Sequence, residues 1–100
     1  MKEMFYVTDD IRVRFKHFIE HKNGGKPTGM TNCTIEFRRL DGDKNEWLKV
    51  HIGTSFCSPK DQFDRSVGRK VALAKTLKQV PSTKQRLEYW QAYFKWNGGF

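Results

Sequence analysis

Alternation of apolar and polar residues with a period of two is the feature that most narrows what this chain can fold into. It recurs in three separate stretches, and only a strand sends successive side chains to opposite faces. Between Ile11 and Ile19 the odd positions are Ile11, Val13, Phe15, His17 and Ile19, and the even ones are Arg12, Arg14, Lys16 and Phe18. The pattern returns with Cys33, Ile35 and Phe37 against Thr34, Glu36 and Arg38. It returns again with Leu48, Val50 and Ile52 against Trp47, Lys49 and His51. Each stretch reads as a half-buried strand. For residues 11–19 a helix competes, with Thr8 as its cap, Asp9 and Asp10 in its first turn, and Ile11, Phe15, Phe18 and Ile19 on one face. The β-branched residues and the alternation favour the strand.

The connections agree with a meander. Residues 21–32 hold three Gly and a Pro without periodicity and read as an exposed loop. Asp41-Gly42-Asp43-Lys44-Asn45 supplies turn chemistry between the second and third strands. Ser58-Pro59-Lys60-Asp61 is a helix start, with Ser as N-cap, Pro at the first helical position and an acid three residues after the cap. That helix is expected to run to about Gln79, with Phe63, Val67, Val71, Leu73, Ala74 and Leu77 toward the sheet. Pro81 interrupts, and Ser82-Thr83-Lys84-Gln85 repeats the capping logic. The second helix should end near Asn97-Gly98-Gly99 with Leu87, Trp90 and Phe94 on its inner side. The expected fold is α+β: a three-stranded antiparallel β-meander followed by two α-helices packed on it, β-β-β-α-α, as a single domain over residues 1–100.

Such a chain can bury a core, since its 100 residues include eight Phe, three Trp and three Tyr. Its charge points outward to a partner. Nineteen Lys and Arg against eleven Asp and Glu give a net charge of +8, a positive field suited to nucleic acid or to an acidic or nucleic-acid-binding host protein. No stretch approaches the length of a membrane span, and the first ten residues lack a signal-peptide pattern, so a cytoplasmic protein without a membrane partner is expected. Cys33 and Cys57 are expected to be unpaired thiols of a reducing compartment.

The expected binding face is the side of the sheet away from the first helix, carrying Arg12, Arg14, Lys16, Arg38, Trp47, Lys49 and His51. The cations would contact phosphates and Trp47 would stack on a base. The competing reading has the aromatic second helix folded over that face, or leaves the face merely solvated. A second candidate surface lies on the helices. Gly68 in mid-helix costs roughly 1 kcal/mol against Ala, so a close approach is expected there, with Arg65 and Arg69 beside it and Tyr89 and Trp96 exposed. These five residues would anchor a protein partner, unless the second helix of the same chain fills the strip at Gly68. No cofactor is expected. Cys33, Cys57, His17 and His51 lack metal-ligand spacing, and His17 and His51 are expected on opposite faces. No nucleophile elbow or phosphate loop is legible, so a catalytic role is not expected.

The run Cys57-Ser58-Pro59-Lys60-Asp61-Gln62-Phe63-Asp64-Arg65, followed by Gly68-Arg69-Lys70-Val71-Ala72-Leu73, resembles small proteins encoded by tailed bacteriophages and prophages. No activity comes with that resemblance, and no functional residue is carried over. It implies either a phage nucleic-acid accessory factor or a phage-encoded inhibitor of a host defence, transcription or replication machine.

Overall fold

A computed structural model of the chain describes residues 3–20, 28–41, 44–57 and 63–98. It contains β1 (Met4–Thr8), β2 (Ile11–Glu20), β3 (Thr28–Asp41), β4 (Lys44–Phe56), α1 (Arg65–Leu77) and α2 (Thr83–Trp96). The strands form one antiparallel sheet in the order β1-β2-β3-β4. The fold is thus α+β with two helices after an antiparallel sheet, but it has four strands rather than three. The additional strand is Met-Phe-Tyr-Val-Thr, which pairs Phe5 with Val13 and Tyr6 with Arg12. Thr8 ends β1 and Asp10 lies in the turn to β2, where the Asp10 amide donates to the Thr8 hydroxyl. They do not begin a helix: residues 11–20 are strand.

Cross-strand register assigns every side chain to a face. Phe5, Val13, Ile35 and His51 oppose one another across the four strands, as do Phe15, Cys33 and Gly53, and then His17, Thr31 and Ser55. These rows meet the helices. The buried cluster joins Phe5, Val13, Phe15, Cys33 and Ile35 to Ala72, Leu73 and Leu77 of α1 and to Tyr89 and Tyr93 of α2. Both helices therefore cover the same face, and the opposite face is left open.

Each helix is partly rotated from its expected orientation, although Leu73 and Leu77 of α1 face the sheet as expected. Asp64 caps α1 by accepting from the Ser66 and Val67 amides; the expected start at Ser58-Pro59-Lys60-Asp61 lies outside the described residues. Gly68, Ala72, Leu73, Thr76 and Leu77 face inward, whereas Val67 is 59% exposed and Val71 38%. Small residues let the α1 backbone approach the sheet closely, and that burial outweighs the area Val67 and Val71 would have hidden. Ser82 caps α2 by accepting from the Gln85 amide, as expected. Trp90 and Phe94 pack against the core as expected, but the most buried positions of the inner stripe are Tyr89 and Tyr93, Trp96 joins them, and Leu87 is turned outward. Trp96 stacks on Phe5 and Phe15 at ring separations of 5.5 and 5.9 Å. The β1 strand supplies the Phe5 ring that makes this stripe the better one to bury.

A polar cluster ties the chain's N-terminal segment to α1. Glu3 Oε1 accepts from Arg69 Nη1 at 2.6 Å, and Glu3 Oε2 lies 2.7 Å from His17 Nε2. His17 Nδ1 is 2.8 Å from the Thr31 hydroxyl. Burial pushes the Glu3 carboxyl up, but pairing with His17 and Arg69 outweighs it and leaves the group below its ordinary value. A carboxyl with a lowered folded pKa adds stability above its unfolded value of about 4.3, and that stability is withdrawn as pH falls through the lowered value. Glu3→Gln should therefore lower the urea midpoint at pH 7, and the gap from the parent should narrow as pH falls through the lowered value. A gap that stays constant from pH 7 into the acid range would refute the pairing.

Candidate functional site

The open face is a grid whose rows follow from the register. Tyr6, Arg12, Glu36 and Lys49 form one row, and Met4, Arg14, Thr34 and Ile52 the next. Lys16, Asn32 and Thr54 then follow, next Phe18, Met30 and Phe56, and beyond them Glu20 opposite Thr28. Arg38 and Trp47 are paired beyond the first of these rows. Six of the seven residues read from the sequence as one binding face do share it.

His51 does not. Ile35 pairs with His51 but Glu36 pairs with Lys49, so Val50 is an extra residue and β4 carries a bulge there. One inserted residue reverses the facing of everything beyond it. Trp47 and Lys49 look out from the open face, whereas His51 turns under the helices, 3.3 Å from Gln79 Oε1. Leu48, Val50 and Ile52, expected on one face, are split in the same way. His17 and His51 lie on the same face rather than opposite ones. The sequence does hold a signal for the bulge: Gly53 marks a strand position approached closely by another backbone. It occupies the same parity as Trp47, and the two can face opposite ways only if a residue is inserted between them.

The cations of this face fall into two groups. Arg12 is held: its Nε donates to Glu36 Oε1 at 2.6 Å, and its guanidinium lies 4.0 Å from the Trp47 ring centroid. Arg38 sits 5.2 Å from the same centroid, with Asp10 at 3.8 Å. Trp47 is thus flanked by two guanidinium groups, and Tyr6 approaches it at 6.0 Å. The indole orients arginines and is not a free platform for a base. Arg14, Lys16 and Lys49 form the second group and point into solvent. Arg14 stands 3.6 Å from Glu36 but remains 55% exposed. Glu36 itself is 3% exposed, beneath these arginines, so an approaching ligand touches the displayed positive groups and not the carboxylate.

The second candidate surface is dispersed by the packing. A Cβ on Gly68 would run into the Thr31 hydroxyl of β3, so the close approach at this glycine is made by the chain's own sheet. Neither an outside partner nor α2 occupies it. Arg69 is committed to Glu3. Tyr89 is 4% exposed in the core, and Trp96 stacks beneath α2. Only Arg65 of the five stays exposed.

Cys33 is buried, and desolvation pushes its thiol up to about 12 despite a hydrogen bond with Thr76. A thiol in that state is a packing group rather than a nucleophile. Among the described residues, no three His, Cys, Asp or Glu side chains are grouped to hold a metal ion, and no helix is long and apolar enough to cross a membrane.

The fold and this face together define a class: a four-stranded antiparallel sheet, helices on one side, with a basic and aromatic surface on the other. No family model, curated protein or solved structure matches the chain, and its function is therefore argued from its own chemistry.

Proposed function

We propose that this chain is a binding module that grips the phosphate backbone of nucleic acid with the open face of its sheet. The observation that carries the reading is the separation of charge on that face. Arg14, Lys16 and Lys49 are displayed in adjacent rows, while the described acid within those rows, Glu36, is buried under Arg12 and the exposed Glu20 lies two rows beyond Lys16. A phosphate chain meets positive charge without meeting the carboxylate. The net charge of +8 adds long-range attraction that speeds encounter and weakens with salt.

Each neutralised phosphate releases condensed counterions, so the logarithm of the binding constant should fall linearly with the logarithm of salt concentration. The slope is about 0.7 to 0.9 per contact. The triple variant Arg14→Ala, Lys16→Ala, Lys49→Ala is expected to bind more weakly and to reduce that slope by roughly two to three. Its thermal midpoint should barely move, because these side chains are solvated. Fluorescence anisotropy over a salt series measures both quantities. Absence of binding by the parent protein to any DNA or RNA at about 50 mM salt, where phosphate contacts are strong, would dismiss the proposal. An unchanged slope in the triple variant would dismiss this face as the site.

A further inference from the structure

We infer that the ligand of this face is single-stranded, running from the arginine end toward the Phe18–Met30–Phe56 row and laying at least one base on Phe56 or Phe18. This rests on the proposed backbone-binding reading and adds the strand state of the nucleic acid and the residues that sense it.

The first argument is width. Four strands spaced about 4.8 Å apart make a sheet about 14 Å across between its outer backbones, and side chains extend it further. The major groove of duplex DNA is about 12 Å wide and admits a helix or a two-stranded ribbon. The face of this sheet cannot enter it. Presented to a duplex, it could touch only the outermost phosphates of a curved cylinder, leaving most of its rows out of contact. A single strand has no such curvature and can lie flat along the rows.

The second argument is what lies at the far end. Phe56 is 72% exposed and Phe18 42%, and register puts them on either side of Met30 in one row of the open face. Exposed aromatic rings beside cations suit unpaired bases, since every base offers a π-face and stacking does not depend on sequence. Lys16 Nζ lies 5.2 Å from the centre of the Phe18 ring, which puts a phosphate-binding group beside the stacking group. In a duplex the bases are already stacked on one another, and these phenylalanines would have nothing to hold. The aromatic chosen from sequence for this task, Trp47, has a guanidinium on each side and Tyr6 leans toward it. Phe18, by contrast, has a single lysine beside it and Phe56 is the most exposed of the described rings, so these two offer the freer faces to a base.

The test compares probes carrying the same phosphate charge. Labelled oligo(dT) and oligo(U), a duplex of equal length, and an abasic single strand are titrated with the full chain at one salt concentration. The parent protein should bind both unmodified single strands at least tenfold more tightly than the duplex or the abasic strand. Phe18→Ala with Phe56→Ala should cost roughly five- to hundredfold on the single strands, as expected for lost base stacking. It should leave duplex affinity within twofold. The abasic comparison needs no variant, so it stands even if the double variant folds poorly.

Equal affinity for duplex, abasic and normal strands would overturn the single-strand inference while leaving the backbone reading in place. Binding of single strands by the double variant at the parent's affinity would overturn it in the same way. Failure of the parent to bind any of the probes at low salt would instead remove the backbone reading, and this inference with it.

Discussion

Gly53→Ala is expected to destabilise the protein by about 3 kcal/mol or more, at or above the upper end of ordinary overpacking. A Cβ at this position would lie 2.7 Å from the Thr76 amide nitrogen and 3.0 Å from its Cα, and closer still to the Thr76 hydroxyl. Two of these three obstacles are helix backbone, which moves only if α1 lifts off the sheet. Replacing a strand glycine by alanine normally gains about 0.5 to 1 kcal/mol of backbone entropy, and the clash overrides that gain. At about 4–8 °C per kcal/mol for a domain of this size, the thermal midpoint should fall by at least about 10 °C. Thr76→Ala in the Gly53→Ala background should recover little, because it removes the hydroxyl but not the backbone. A loss below about 1 kcal/mol, or full rescue by Thr76→Ala, would mean that α1 sits farther from β4 than the structure has it. The contrast with Gly68 is instructive. There the obstacle is the Thr31 side chain, and a mid-helix alanine gains up to about 1 kcal/mol of helix propensity, so Gly68→Ala should be the milder change.

These two glycines also explain where sequence reasoning reached and where it stopped. Period-two alternation identified β2, β4 and the middle of β3, because one side of each strand packs and the other does not. Residues 28–32, expected to be loop, belong to β3, where pairing with β2 and β4 extends the strand past the alternating stretch. It also gathered Arg12, Arg14, Lys16, Arg38, Trp47 and Lys49 onto one face. β1 was missed because five residues, Met4–Thr8, show too few periods to stand out, and because Thr8, Asp9 and Asp10 serve a turn as readily as a helix start. The facing of His51 was lost at the Val50 bulge, where Leu48, Val50 and Ile52 keep their alternation in sequence while the backbone breaks it. The helices erred in rotation rather than in existence. Each carries two apolar stripes, and the stripe that is buried depends on partners distant in sequence. Gly53 and Thr31 receive the small side of α1, and Phe5 and Phe15 receive Tyr93 and Trp96. Function followed the same limit: charge placement was legible, but whether a cation is displayed or already paired depends on tertiary neighbours such as Glu36.

That distinction governs how any variant of the basic face has to be interpreted, and Arg12 is the decisive case. Arg12→Ala should cost about 3 kcal/mol, the lower end of the range for breaking a buried pair. It strands Glu36, which is 3% exposed, leaving the looser contact with Arg14 at 3.6 Å. It also strips a guanidinium from the Trp47 ring. Arg12→Met combined with Glu36→Gln should recover much of the loss, since no uncompensated charge is then left inside. Urea denaturation of the single and double variants measures this coupling, and additive effects would show that the two groups do not depend on each other. Weakened nucleic-acid binding by Arg12→Ala would therefore report a damaged sheet as much as a lost phosphate contact. Glu36→Gln provides the complementary test. It removes a negative charge from beneath the face and frees Arg12, so polyanion binding should strengthen even as the fold weakens. A stability variant that gains affinity separates the two roles in a way that loss-of-function changes cannot. If Glu36→Gln instead lowers stability and affinity together, the buried carboxylate is needed to hold the arginines in their binding geometry, and Arg12 joins Arg14, Lys16 and Lys49 as part of the binding surface.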